Sequence, residues 1–256
     1  MTLLSKTRSL NRLLQQAAGK AVNFQEMADV LRDTIGADVF VVSRRGKVLG
    51  FALTDAANRD MLPHSEPDRL YFGEEHNHLL LHIRETASNS DAERLYHTAA
   101  AQIAEAVGRR IAAVVPIIGG GERIGTLVLS RGEKPFADDD FILAEYGSTI
   151  VAMEILRMRA EEKETEIRSK TAVLVAVNSL SFSELEAVEQ IFEEMGGNEG
   201  LLVASKIADK AGITRSVVVN ALRKLESAGV VETRSLGMKG TYIKILNEQL
   251  PQRFKK

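Results

Sequence analysis

The spacing of apolar positions predicts two helices at the start of the chain. Leu3, Leu10 and Leu14 fall on one helical face, which predicts an amphipathic helix whose leucines need a partner surface. A second amphipathic helix is predicted from the apolar spacing of residues 23–35, and it ends at Gly36.

Two later stretches consist of apolar runs on either side of a polar, glycine-containing turn, as β-hairpins do. The first covers residues 38–53 and turns around Arg45 and Gly46. The second covers residues 109–131, and both of its strands are apolar enough to lie in the centre of a sheet. Between them, residues 54–89 are predicted to have little regular structure, because they hold most of the histidines and two of the prolines. Helix, hairpin, loop, hairpin and helix is the order of a ligand-sensing domain of the GAF or PAS type.

The C-terminal part of the chain, from residue 138 onward, is predicted to be mainly helical. Residues 138–180 predict a long helical stretch, either continuous or broken near Arg168, which joins the two halves. A capping box formed by Ser183 and Glu186 predicts the start of the next helix, and Gly196–Gly197 predicts its end.

Two short helices then follow across a turn at Gly212, and alternating residues around Gly237 and Gly240 predict a two-stranded wing. Three helices and a β-wing make a winged helix-turn-helix. The fold is therefore predicted to be α+β, with a GAF-like mixed α/β sensor domain over residues 1–155, a linker helix over 156–180 and a winged helix-turn-helix over 181–256.

The last short helix has the pattern of a DNA-recognition helix. Thr214 is placed to cap it, and its buried stripe is predicted to comprise Val218, Ala221, Leu222 and Leu225. Arginine suits guanine, asparagine suits adenine, and serine or lysine can bind phosphates. The predicted DNA contacts are Ser205, Thr214, Arg215, Ser216, Asn220, Arg223 and Lys224, with Arg234, Lys239 and Lys244 on the wing.

The charge distribution supports this prediction. Residues 201–256 hold 11 Lys and Arg against 4 Asp and Glu, whereas the preceding 200 residues hold 22 against 31. A basic tail on an acidic body indicates that only the tail meets a polyanion such as double-stranded DNA. Solvated cations on a winged helix that binds other proteins are the alternative.

The composition excludes several other classes of protein. There is no cysteine, so disulfides and thiolate catalysis are absent and a reducing compartment fits. No signal peptide and no transmembrane segment is predicted, which indicates a cytoplasmic protein without membrane contact. With no paired carboxylates, activated nucleophile or phosphate-binding loop, a nucleotide-hydrolysing or cyclic-nucleotide enzyme with a DNA-binding tail is not supported, and no catalytic residue is assigned.

Two local motifs suggest ligands but have simpler interpretations. Gly120 and Gly125 have the spacing of a phosphate-binding loop, yet the lysine that should follow is missing, so a hairpin turn is favoured.

His78 and His82, with His76 nearby, have a spacing that can bind zinc. Loop or surface histidines are favoured, and no metal site is assigned.

Nearly the whole chain resembles the CodY family of nutrient-sensing transcriptional regulators of low-G+C Gram-positive bacteria. The resemblance is carried by residues 197–247, by "MTLLSKTRSLNRLLQ", by "VPIIGGGERIGTLVLSR" and by "DDDFILAEYGSTIVAMEILR". It implies a homodimer whose GAF domain binds isoleucine, valine or leucine. It also implies GTP as a second effector, and repression of stationary-phase and amino-acid biosynthesis genes when nutrients are plentiful.

The resemblance also implies an effector site. An arginine after the first hairpin pairs with the ligand carboxylate in the family, and Arg59 matches it, with Met61 and Phe72 lining an apolar slot. Arg59 could equally be a surface arginine. The family's aromatic–proline segment is replaced by residues 96–102, whose alanines should reshape the pocket. A GAF-like half that only dimerises, or senses another small molecule, is the alternative.

Overall fold

The computed structural model describes residues 2–16, 23–55, 65–66, 69–90 and 96–254. The chain divides into two compact units, Met1–Ala160 and Glu161–Lys256, and the boundary between them falls inside one long helix. No helix in the described ranges is both long and apolar enough to cross a membrane.

The first unit is a mixed α/β domain. Its elements are α1 (Leu3–Gln16), α2 (Phe24–Ile35), β1 (Asp38–Ser43), β2 (Val48–Ala52), β3 (Ser65–Glu66), β4 (Arg69–Leu70), α3 (Glu74–His82), β5 (Ala87–Ser88), α4 (His97–Ala106), β6 (Ile111–Gly119), β7 (Glu122–Arg131) and the first part of α5 (Asp138–Asn178). Five strands form one antiparallel sheet in the order β2-β1-β7-β6-β5.

Apolar side chains cover both faces of this sheet. Along β1, Val39 and Val41 belong to one core, which includes residues of α1, α2 and α5, whereas Phe40 and Val42 belong to a second core with α3 and α4. Successive residues of a strand point to opposite faces, so a strand that is apolar throughout must be covered twice. This three-layer arrangement is the predicted sensor-type domain.

Glycines make both hairpin turns, as predicted. Gly46 has a φ of 82°, and Gly120 and Gly121 have φ values of 62° and 81°. These left-handed values suit glycine because it has no Cβ. Gly125 lies within β7, where a Cβ would be 2.6 Å from the carbonyl oxygen of Val42, so close strand packing explains this glycine.

The prediction of little regular structure over residues 54–89 is wrong for its second half. Residues Glu74–His82 form α3, and Leu80 and Ile83 are fully buried. Two hydrogen bonds fix the entry to this helix. The backbone N–H of Phe72 donates to the carbonyl of Gly46 at 2.9 Å, and the side-chain amide of Asn77 donates to the carbonyl of Arg44 at 3.2 Å.

The leucines of α1 find partners within their own chain. Leu10 is buried in the core with α2, and Leu3 packs against that core. The side chain of Leu14 lies outside the described part. The expectation that Leu3 and Leu10 need a surface from a partner molecule is therefore wrong.

The long helix α5 is continuous from Asp138 to Asn178, without the break near Arg168 that the sequence left open. Ion pairs one turn apart support the exposed middle of the helix, with Glu164 to Arg168 at 2.6 Å and Glu166 to Lys170 at 2.5 Å. Its last turns enter the core of the second unit, where Val173, Ala176 and Val177 are buried.

The second unit is a winged helix-turn-helix. After the end of α5 it contains α6 (Phe182–Met195), β8 (Glu199–Leu202), α7 (Ala204–Ala211), α8 (Arg215–Ser227), β9 (Val231–Ser235), β10 (Thr241–Ile245) and α9 (Gln249–Phe254). The wing is a three-stranded sheet in the order β8-β10-β9 and not the predicted two-stranded one, because Glu199–Leu202 pairs with β10.

The capping box of α6 lies two residues upstream of its predicted position. The Ser181 N–H donates to the Glu184 carboxylate at 2.7 Å, and the Glu184 N–H donates to the Ser181 hydroxyl at 3.4 Å. The prediction of Ser183 and Glu186 is therefore wrong. The helix ends as predicted at Gly196, which has a φ of 60°.

Candidate functional site

The recognition helix α8 is held by a tight turn and an apolar stripe. Gly212 ends α7 in the left-handed conformation, with a φ of 65°, and its N–H donates to the carbonyl of Ala208. On α8 the predicted stripe is confirmed, because its four members are at most 7% exposed: Val218, Ala221, Leu222 and Leu225. Burial of one face fixes which side chains of α8 point to solvent.

The predicted DNA contacts on α7 and α8 are all exposed: Ser205, Thr214, Arg215, Ser216, Asn220, Arg223 and Lys224. Neither Arg215 nor Arg223 forms an ion pair with any acidic side chain in the described part of the chain. These guanidinium groups are therefore available to an external anion or to base edges.

Thr214 occupies the N-cap position of α8 but does not cap it through its side chain. Its hydroxyl lies 2.8 Å from the hydroxyl of Ser216 and forms no capping bond to a backbone N–H. Both hydroxyls are exposed at the positive end of the helix dipole, where an anionic group is stabilised.

The wing adds further basic groups. Arg234 on β9 and Lys239 in the turn Gly237–Lys239 are exposed, and no described acidic residue forms an ion pair with them. Lys244 on β10 is exposed as well.

Sequence reasoning did not single out Met238, whose side chain is fully exposed at the tip of the wing. Its position beside a positive-φ glycine in a turn is the signal that marks it.

Glu226 fixes the wing to the recognition helix. Its carboxylate accepts hydrogen bonds from the backbone N–H of Thr233 at 3.0 Å and from the Thr233 hydroxyl at 2.9 Å. On the other side of the central strand β10, the Tyr242 hydroxyl donates to Glu199 of β8 at 2.6 Å, and this bond raises the pKa of Tyr242. The strands and α8 can therefore present their cations as one surface.

Lys224 differs from the other predicted contacts because its ammonium has partners within the chain. It donates to the carboxylate of Glu184 at 2.6 Å and to the carbonyl of Ser179 at 2.9 Å. The bond from Lys224, followed by the backbone bond from Ser181, holds the pKa of Glu184 below its usual value. Sequence reasoning did not identify either partner.

Of the predicted effector residues, Arg59 and Met61 lie outside the described residues. Phe72 is 2% exposed and packs edge-on against Phe40, with ring centroids 6.1 Å apart. It forms part of the core beneath α3 and α4. At the start of α4, Tyr96 has a φ of 71° and its ring meets that of His82 at 5.8 Å.

Buried Asp38 fixes the start of the segment that leads to Arg59. One carboxylate oxygen accepts from the N–H and the hydroxyl of Thr54, both at 2.7 Å, and the other pairs with Arg109 at 2.6 Å. Asp38 lies on β1 and Thr54 follows β2 closely, so these hydrogen bonds hold Thr54 in a fixed position at the end of β2.

No group of three or more metal-ligating side chains occurs among the residues that the structure describes. His76, His78 and His82 lie on α3.

Comparisons with known proteins agree with this architecture. The CodY GAF-like domain model matches residues 2–179, and the CodY helix-turn-helix domain model matches residues 198–256. The global transcriptional regulator CodY of Bacillus licheniformis is 59% identical over 249 residues, covering 97% of this chain and 96% of the relative. That of Bacillus cereus is 58% identical over 256 residues, covering 100% and 98%.

One solved structure is the cofactor binding GAF domain of the nutrient sensor CodY from Clostridium difficile. It is 38% identical, covers 60% of this chain and 99% of its own, and has a TM-score of 0.44. The two family matches and the full-length relatives identify the family, in agreement with the winged-helix fold and the basic face of α8. The chain belongs to the CodY family of global transcriptional regulators, with a GAF ligand-binding domain and a helix-turn-helix DNA-binding domain, and it is not an enzyme.

Proposed function

We propose that this regulator binds operator DNA through α8 and the wing, and that a small-molecule effector in the GAF domain controls this binding. The observation that carries the proposal is the row of exposed donors on α8 and the wing. Arg215, Arg223, Arg234 and Lys239 have no ion-pair partner among the described acidic residues. Such unpaired cations on the face of a recognition helix suit phosphates and base edges.

The proposed DNA contacts divide by position. Arg215 and Asn220 lie in the N-terminal half of α8, the half that enters the major groove in helix-turn-helix proteins, so they contact base edges. Ser205, Thr214, Ser216 and Arg223 bind phosphates or bases next to them. Arg234 and Lys239 on the wing reach the backbone or the minor groove.

The proposed effector is a branched-chain amino acid: isoleucine, valine or leucine. Its carboxylate pairs with Arg59, and Met61 and Phe72 contribute to the apolar surroundings of its side chain. The buried position of Phe72 next to Phe40 supports an apolar environment on this face of the sheet. GTP is proposed as a second effector, and no residue is assigned to it.

The proposed regulator works in the cytoplasm, where the chromosome lies, and represses stationary-phase and amino-acid biosynthesis genes. We propose a homodimer, because a palindromic operator needs two recognition helices. Ile142, Met153 and Leu156 lie on one face of α5 and are 52%, 57% and 37% exposed, which supports an apolar contact between copies.

Calorimetry with isoleucine, valine, leucine and GTP tests the effector proposal. Binding of at least one amino acid is expected, with a tighter complex on operator DNA when it is present. If none of these ligands binds while operator DNA still does, the GAF domain senses another molecule or serves only to hold the dimer together.

A further inference from the structure

The recognition helix is tied to the rest of its unit through one lysine. The Nζ of Lys224 lies 2.6 Å from the Glu184 carboxylate and 2.9 Å from the Ser179 carbonyl. Glu184 belongs to the capping box of α6, and Ser179 follows the last residue of α5. One ammonium therefore joins α8 to the end of one helix and the start of the next.

We propose that Lys224 is a positioning residue, which fixes α8 against α5 and α6 and does not contact DNA. The proposal rests on the proposed function, since it presupposes that α8 binds DNA. It removes Lys224 from the row of DNA contacts and gives it a role in the placement of Arg215 and Asn220.

The location of Lys224 on the helix supports this role. It follows Arg215 by nine residues, which is about 13 Å along the helix axis. The N-terminal end of a recognition helix contacts the bases, so Lys224 lies toward the end that points away from them. On the helical wheel it flanks buried Ala221, on the side that packs against α6.

The environment of its two partners opposes release of the lysine. Glu184 is only 7% exposed, so a departing ammonium would leave a buried carboxylate without its cation. The carbonyl of Ser179 stands at the C-terminal end of α5, where carbonyls lack partners in the helix and cations are stabilised. A DNA phosphate would have to replace both interactions.

Arg223 is the matched neighbour. It is exposed on the same helix, carries the same charge, and has no ion pair with an acidic side chain in the described ranges. If Arg223 binds a phosphate and Lys224 does not, substitution of each should have a different effect on the salt dependence of DNA binding.

The experiment measures affinity by fluorescence anisotropy at several salt concentrations. The probe is a duplex that the wild-type protein selects from a random-sequence library. Loss of one phosphate contact reduces the slope of log affinity against log salt by about 0.9. We expect Arg223→Met to reduce the slope by this amount. Lys224→Met should keep the wild-type slope and lower the affinity by the same factor at every salt concentration.

Glu184→Gln provides a second variant that keeps the helix cap, because glutamine also serves in a capping box. It removes the anionic partner of the Lys224 ammonium without touching the DNA-binding face. A positioning role predicts weaker operator binding with an unchanged slope, whereas a phosphate-binding Lys224 predicts equal or tighter binding.

The proposal is overturned if Lys224→Met reduces the slope by about 0.9, or if Lys224→Met and Glu184→Gln both keep wild-type affinity. Failure of the proposed function has a different signature. In that case Arg215→Ala and Arg223→Met both leave operator binding unchanged, whatever Lys224→Met and Glu184→Gln do.

Discussion

Ser169 and Asn247 hold each other through two hydrogen bonds. The Ser169 hydroxyl donates to the Asn247 amide oxygen at 2.8 Å, and the Asn247 amide nitrogen donates to the Ser169 carbonyl at 2.9 Å. Ser169 lies on α5 and Asn247 follows β10, the central strand of the wing. The tail of α5 is therefore joined to the DNA-binding unit by polar contacts as well as by its buried apolar residues.

Replacement of Asn247 should loosen this unit. Asn247→Ala removes both bonds to Ser169 and the bond from the Gln249 N–H at 3.0 Å, so we expect a loss of about 1–3 kcal/mol in the free energy of opening. Native-state hydrogen exchange should show lower protection in residues 161–254 and unchanged protection in the first unit. Ser169→Ala, which removes one bond, should have a smaller effect. Equal protection in Asn247→Ala and wild type would contradict this account of the contact.

Arg215 should be required for operator recognition. If its guanidinium contacts a base, Arg215→Ala should weaken operator binding by about 1–3 kcal/mol. Arg168→Ala is a suitable control, because Arg168 is an exposed arginine of the same unit and, among the described acidic residues, pairs only with its helical neighbour Glu164. Titration of both variants on the operator and on a random duplex should show a specific loss for Arg215 alone. Wild-type affinity of Arg215→Ala on both duplexes would remove Arg215 from the interface.

The pair of Glu184 and Lys224 should make stability depend on acid pH. The pKa of Glu184 lies below its ordinary value of 4.5 in the folded state, because Lys224 and the Ser181 N–H stabilise the carboxylate. A lowered pKa stabilises the fold above the unfolded-state pKa, and this contribution is lost as the pH falls through the folded pKa. Wild type should therefore be more stable than Glu184→Gln at neutral pH, with the difference shrinking below about pH 4.5. Urea unfolding of both proteins at several pH values measures this difference in the free energy of unfolding. A difference that stays constant down to about pH 3 would contradict the prediction.

The elements that could be predicted are those that local sequence determines. The stripe on α8 follows from a period of 3.6 residues, and Gly36, Gly46, Gly120 and Gly212 mark turns because each has a positive φ. The start of α6 was misplaced because the stretch from Ser181 to Glu186 contains two overlapping capping patterns. Only burial of Glu184, Ala187, Val188 and Ile191 selects the first.

Features that depend on distant parts of the chain could not be predicted. The strand Glu199–Leu202 is four residues long and is defined by its pairing with β10, about 40 positions later. Likewise, the partner of Lys224 stands 40 residues upstream, so no local pattern reveals that a lysine on the recognition helix is already paired. The outward donors of α8 were predictable, but their hydrogen-bonding partners were not.

Arg59 should couple the effector to DNA binding. Removal of its guanidinium deprives a bound carboxylate of its partner and should cost about 2–5 kcal/mol of amino-acid affinity. Arg59→Ala should therefore abolish stimulation of operator binding by the amino acid and leave binding without effector unchanged. Arg110→Ala, an exposed arginine that pairs with Glu133 at 3.7 Å, should retain stimulation. Stimulation that survives in Arg59→Ala at the same effector concentration would show that another residue holds the carboxylate.

The central claim is that a ligand of the GAF domain changes the affinity of the winged helix for DNA. A ligand can do so only if its binding free energy differs between two states of the protein. The direct measurement is operator affinity of the wild-type chain with and without saturating isoleucine, valine or leucine. We expect tighter operator binding with at least one of them. Equal affinity in the presence and absence of all three would contradict it.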